Sequence, residues 1–153
     1  MDDERVALAS DVARHLRGRC VACAESLTAG RVASALAMVE GAVDFLRGGL
    51  VAYQPGIKES LLGVTADSVL SLAAAEQMAS GAARLLDAPV TVSTTGLAGG
   101  EPEDGVEVGA VFVATFVDGV VTSRRYHFDA CPERVCDLAA RQALADLRER
   151  LRR

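Results

Sequence analysis

CVACAESLTAGRVASALAMV, residues 20 to 39, decides the fold. Its first six residues, CVACAE, are small and apolar and read as a short strand. AGRVASALAMV, residues 29 to 39, reads as a helix. Ser26 and Thr28 fall at the junction between them. A strand that hands its chain to a helix in this way opens an α/β unit. N–H groups at a helix start point outward and carry partial positive charge, so the reading expects such donors beside Ser26.

The flanking segments extend the pattern. Residues 3 to 17 read as a helix, with Val6, Leu8, Ala9, Val12, Ala13 and Leu16 near helical spacing. Residues 47 to 53, containing GGLVAY, read as a strand; Pro55 and Gly56 break it and IKESLLG follows as a short helix. Asp67 is the expected cap of a long helix over 68 to 87. Pro89 precedes the strand VTVSTT, which runs into the Gly-rich segment GLAGGEPEDG. VEVGAVFVATFV and VVTSRRYHF are β-rich, and Asp118-Gly119 between them is a strong two-residue hairpin signal. From Pro132 onward the chain reads as a helix. The sum is a three-layer α/β/α arrangement with a mixed sheet. Regular βαβ alternation is incomplete, so a pure Rossmann fold is not expected.

The 153 residues fit one domain, 1 to 153, with half of them hydrophobic and 24% charged. A formal net charge of −5 argues against a dedicated nucleic-acid binder, whose affinity comes largely from cationic contacts to phosphate. No signal-peptide core and no membrane-length apolar run is present, which makes the cytoplasm the expected location. Cys20, Cys23, Cys131 and Cys136 do not form a secreted disulfide pattern. They are expected to be buried or half-buried free thiols rather than a metal site. His15 and His127 are expected in structural roles.

Three segments carry chemistry. In AESLTAG, residues 24 to 30, Ser26 is either a helix cap or a nucleophile served by helix-start N–H groups. In LVAYQPGIKESLLG, residues 50 to 63, a buried Lys58 would lose affinity for its proton and become a base, and the Tyr53 hydroxyl can relay a proton. Ser with Lys, with or without Tyr, activates a hydroxyl without His. In TVSTTGLAGGEPEDG, residues 91 to 105, glycines let a ligand approach the backbone, and no nucleotide-binding glycine motif is present. Glu101, Glu103, Asp104 and Glu107 are expected on a solvated loop face. Arg31, Arg124, Arg125 and Arg141 are possible phosphate contacts, although solvated surface Arg is the commoner case.

Together these segments resemble the C-terminal domain of the competence/damage-inducible CinA proteins, found also as stand-alone nicotinamide mononucleotide (NMN) deamidases. AESLTAG looks like AESCTGG, GGLVAYQPGIKESLLGV like GGVVSYSNEAKxxLLGV, and STTGLAGG like the TTGIAGPxGG turn. The resemblance runs from about residue 5 to 150. It implies hydrolysis of the NMN carboxamide to nicotinic acid mononucleotide and ammonia, with no metal or cofactor. Ser26 matches the nucleophile, and Tyr53 and Lys58 its activating partners, with the choice of base left open. The matching segments also imply substrate contacts from Glu25, Thr28, Ala29, Gly30, Thr95, Gly96, Ala98 and Gly99, and the resemblance suggests a homo-oligomer. Leu27 and Ala29 replace Cys and Gly. The family's FxGDRxxVR reads FDACPERVCD here, so Pro132 and Cys136 stand where two Arg are expected, and Arg134 is the candidate to compensate. Two alternatives remain at this stage: a nucleotide-binding or regulatory domain without turnover, and an amidase for a related small amide.

Overall fold

The computed structural model describes residues 2–153. Strands β1 (Val21–Glu25), β2 (Leu46–Val51), β3 (Val90–Gly96), β4 (Ala110–Val117) and β5 (Val120–His127) form one sheet in the order β2-β1-β3-β4-β5. The first three are parallel and β3, β4 and β5 are antiparallel, which makes the sheet mixed as the sequence implies. The helices are α1 (Asp3–His15), α2 (Arg31–Ala37), α3 (Ala42–Phe45), α4 (Pro55–Leu62), α5 (Leu72–Leu86) and α6 (Pro132–Arg152). Among the described residues no helix is long and apolar enough to cross a membrane.

Strand alternation sorts the core into two faces. Val21 and Cys23 of β1 and Val90 and Val92 of β3 pack with α1, α2 and α6. Ala24 of β1 packs on the other face against Leu62 of α4 and Met78 of α5. The second face of β3 is hydroxylated rather than apolar. Thr91 and Ser93 donate to the carbonyls of Ala79 and Ala75 on α5, and Thr95 donates to Val69 O, so each buried hydroxyl has a partner. The helix layers therefore cover both faces of the sheet, giving the three layers expected.

This winding fixes where the loops meet. The chain leaves β1 through α2 to reach β2, then returns through α4 and α5 to β3 on the other flank of β1. The carboxyl end of β1 is thus a topological switch point, where loops diverge and leave a crevice. The segments after β1, β2 and β3, which carry the three sequence motifs, all open there.

Several local expectations are corrected. The helix after Ser26 begins only at Arg31, because Ala29 and Gly30 adopt left-handed φ of 46° and 97° and form a turn first. β2 stops at Val51, so Tyr53 lies beyond the strand. Pro55 starts α4 instead of only ending the strand, in the first-turn position where its missing N–H costs nothing. The long helix is capped by Ser71, whose Oγ accepts Ala74 N–H at 3.1 Å, and not by Asp67. Residues 64–71 stay irregular because Gln77 Oε1 accepts the N–H groups of Thr65 and Ala66. β4 begins at Ala110, after Gly109 at φ 95° turns the chain. The short α3 was not foreseen. Cys131 is exposed, whereas Cys20 and Cys136 are half-buried and Cys23 is buried.

Candidate active site

Glu25 is the hub of the β1–α2 junction. It is 1% exposed. Its Oε1 accepts from Thr28 Oγ1 at 2.6 Å, Gly30 N–H at 3.2 Å and Val32 N–H at 3.0 Å, and its Oε2 accepts from Ala33 N–H at 3.0 Å. The carboxylate thus takes up the orphan donors at the start of α2 and opposes the helix dipole. Since the Thr28 hydroxyl gives its proton to Glu25, Thr94 donates to Thr28 across 2.8 Å. Burial, with Glu25 beside it, pushes the Cys23 thiol well above its ordinary range. The N–H donors of Gly30, Val32 and Ala33 at the start of α2 are therefore already engaged. Ala29 N–H is engaged as well, donating to Ser26 O at 3.0 Å. Among the described residues, Leu27 and Thr28 are the N–H groups of this turn left without an acceptor.

Ser26 sits on the open side of the same turn, 5% exposed, its N–H held by Thr94 O at 3.1 Å. It faces a cavity of about 540 Å³ at the carboxyl ends of the parallel strands. Lys58, from the first turns of α4, reaches that cavity with 2% exposure. Burial alone lowers its pKa, with no carboxylate acting on it. Burial thus makes the neutral, proton-accepting form of this amine easier to reach than it is in water. Tyr53 lines the same cavity and is 65% exposed.

The remaining wall comes from three places. Leu27, Val69, Leu70 and Leu97 make it apolar. Gly96, Ala98 and Gly99 bring the turn after β3 to the cavity, and Gly99 has no room for a side chain, since a Cβ there would lie 2.8 Å from Pro132 Cγ. Pro132, Glu133 and Cys136 from the start of α6, together with Glu103, complete the lining, and both glutamates are exposed. Burial raises the Cys136 thiol pKa.

Of the residues nominated from sequence, Ser26, Tyr53, Lys58, Gly96, Ala98 and Gly99 come together in one cavity. Glu25, Thr28 and Thr95 lie behind its wall, where they hold the turn and the Val69 segment in place. Ala29 and Gly30 belong to the turn and do not line the cavity, and Arg134 is exposed outside it. Glu103 is exposed on its loop, as expected, and also lines the cavity. Arg31, Arg124, Arg125 and Arg141 are each paired, with Asp137, Glu149, Glu107 and Asp2 respectively, and none lines the cavity. His15 and His127 meet the backbone oxygens of Asp11 and Val108. The contributions of Glu103, Pro132, Glu133 and Cys136 were missed as wall residues, because no local pattern announces which helix start packs against a distant loop.

A family model described as the CinA C-terminal domain matches residues 5–151. A CinA-like protein of Rippkaea orientalis is 37% identical, over 98% of this chain and 38% of its own length. A CinA-like protein of Flavobacterium psychrophilum is 34% identical, over 81% of this chain and 31% of its own. The chain thus spans about a third of the length of these relatives. Among solved structures, a CinA superfamily protein from Klebsiella pneumoniae superposes with a TM-score of 0.91 at 33% identity, covering 96% of this chain and 97% of that one. A competence/damage-inducible protein from Agrobacterium tumefaciens superposes with a TM-score of 0.89 at 29% identity, covering 98% and 96%.

Proposed function

This chain belongs to the CinA C-terminal domain family, and on that premise we propose that it is an amide hydrolase acting on the carboxamide of an N-substituted nicotinamide, with Ser26 as nucleophile and Lys58 as base. NMN is the substrate that the sequence resemblance implies. The observation that carries the reading is the shared cavity. A hydroxyl at a strand-end turn and a buried amine without a counter-ion face the same enclosed space. A buried, unpaired amine costs stability, and such a cost is accepted where the group performs chemistry.

The steps follow from what each group can do. Lys58 Nζ, neutral, takes the proton of Ser26 Oγ as the oxygen attacks the carboxamide carbon. The developing oxyanion is held by the free N–H of Leu27, which lines the cavity. Lys58 returns its proton to the departing ammonia, leaving an ester on Ser26. Water, deprotonated by the same amine, cleaves that ester and restores the hydroxyl. The apolar wall keeps the amine desolvated between steps.

The test is ammonia release from NMN by the purified protein beside its Ser26→Ala variant. Release that falls by about 10³-fold or more in the variant supports the reading. Release unchanged by the substitution overturns Ser26 as nucleophile, and no release by the parent protein from either NMN or its riboside overturns the hydrolase itself.

A further inference from the structure

We propose that the cavity selects a cationic pyridinium carboxamide without a phosphate, the nucleoside rather than the nucleotide. This rests on the N-substituted-nicotinamide reading of the site above and names its substrate class. With the carboxamide at Ser26, the N-substituent of the ring must extend toward the mouth, and the mouth carries Glu103 and Glu133. Both are exposed, and neither is paired with a cation among the described residues. No arginine lines the cavity. Its one amine, Lys58, lies deep and serves the reaction. Arg31 is committed to Asp137 at 2.8 Å and to Thr28 O at 3.1 Å, and Arg134, exposed next to Glu133, is outside the lining.

One element in the wall would ordinarily favour an anion, the N-terminus of α6. Here that end is disarmed twice. Pro132 occupies its first turn and removes one N–H donor, and Glu133 in the same turn sets a carboxylate against the helix dipole. Cys136, one turn on, is a half-buried thiol and adds no positive charge. A phosphate dianion at this mouth would meet two carboxylates and no cation. A ribosyl-pyridinium bears one positive charge and would be drawn to the same carboxylates. At separations of several ångströms in a solvated cleft, each carboxylate–dianion pair is worth on the order of tenfold in affinity, less as salt rises.

Calorimetric titration of nicotinamide riboside and NMN into the Ser26→Ala protein reads this preference without turnover. The riboside is expected to bind at least about tenfold more tightly at low salt, with the gap narrowing at high salt. The double variant Glu103→Gln, Glu133→Gln, altered only at exposed positions, is expected to close most of the gap. NMN binding as tightly as the riboside, binding of neither, or a ratio unmoved by the double variant each overturns the inference. Ammonia release by the parent protein is a separate readout. Preference for the riboside with no release from either compound keeps this inference and removes the hydrolase reading. Release from NMN held as tightly as the riboside does the reverse.

Discussion

Glu25 accepts the N–H of Val32 at 3.0 Å, across the turn that separates β1 from α2. The same carboxylate holds Thr28, Gly30 and Ala33, so the Ser26 turn is built around a side chain, not around a substrate. Glu25→Gln keeps the shape but replaces one acceptor oxygen by an NH₂ that confronts backbone donors. It is expected to destabilise the fold by about 2–3 kcal/mol, the range for removing a charge-assisted buried acceptor. Chemical denaturation measures this. A variant as stable as the parent would contradict the structural role given to Glu25.

Ala29 occupies a left-handed conformation, φ 46°, that its Cβ disfavours, and Gly30 beside it, φ 97°, is free of that penalty. Ala29→Gly removes strain of about 1–2 kcal/mol against an unfolded-state entropy cost of about 0.5–1 kcal/mol. The variant is therefore expected to be equal to the parent or up to about 1.5 kcal/mol more stable. The counterpart Gly30→Ala is expected to lose stability although nothing stands within 4 Å of its added Cβ. Thermal melts of the pair separate backbone strain from packing, since only strain predicts opposite signs at adjacent positions.

These positions show how far a sequence read alone reaches. The Asp118-Gly119 hairpin was legible because both residues take the positive φ, 49° and 89°, that such a turn demands. The β1–Ser26 junction was legible because small apolar residues feed directly into it. Ser26 follows β1, Tyr53 follows β2 and Lys58 lies within α4, and it was the joint match of their segments to one family, not any local pattern, that singled them out. The irregular stretch before α5 was not legible, because Asp67 is as plausible a cap as Ser71. What decides between them is Gln77, a side chain folded back from α5 onto Thr65 and Ala66. Nor were the roles of Glu25 and of Glu133 legible. One depends on a turn whose φ values no propensity announces, and the other on Gly99 letting the loop after β3 press against Pro132.

Tyr53 lines the cavity and is 65% exposed. If it served as the proton relay, losing its hydroxyl would reduce turnover by the 10²–10⁴-fold typical of a general acid–base group. Its exposed position supports instead a covering role for the ring. Tyr53→Phe is expected to keep kcat within about threefold, while Tyr53→Ala raises KM for lack of the aromatic wall. Steady-state kinetics on ammonia release distinguish these, and a large fall in kcat for the Phe variant would return Tyr53 to the proton path.

Lys58 makes the sharpest prediction because its catalytic and structural effects run in opposite directions. Its amine is buried and unpaired, and burial lowers its pKa. Below that lowered pKa the folded protein carries a desolvated ammonium, which costs stability. As pH rises toward the ordinary lysine value of 10.5, the unfolded chain binds more protons than the folded one, so this cost diminishes. Above that value the amine is neutral in both states and the cost is gone. Lys58→Met, a near-isosteric apolar replacement, is therefore expected to raise stability by roughly 1–2 kcal/mol near neutral pH. That gain should shrink steadily as the pH is raised, and the substitution should lower turnover by about 10²-fold or more. In the parent protein, activity should climb with pH along an acid limb as the amine loses its proton, and that limb should vanish from any residual activity of the variant. Denaturation at several pH values, run beside the pH–rate profile, tests both halves. A Met variant that is less stable than the parent at neutral pH would mean the amine has a partner in the fold, and a variant with full activity would remove it as the base.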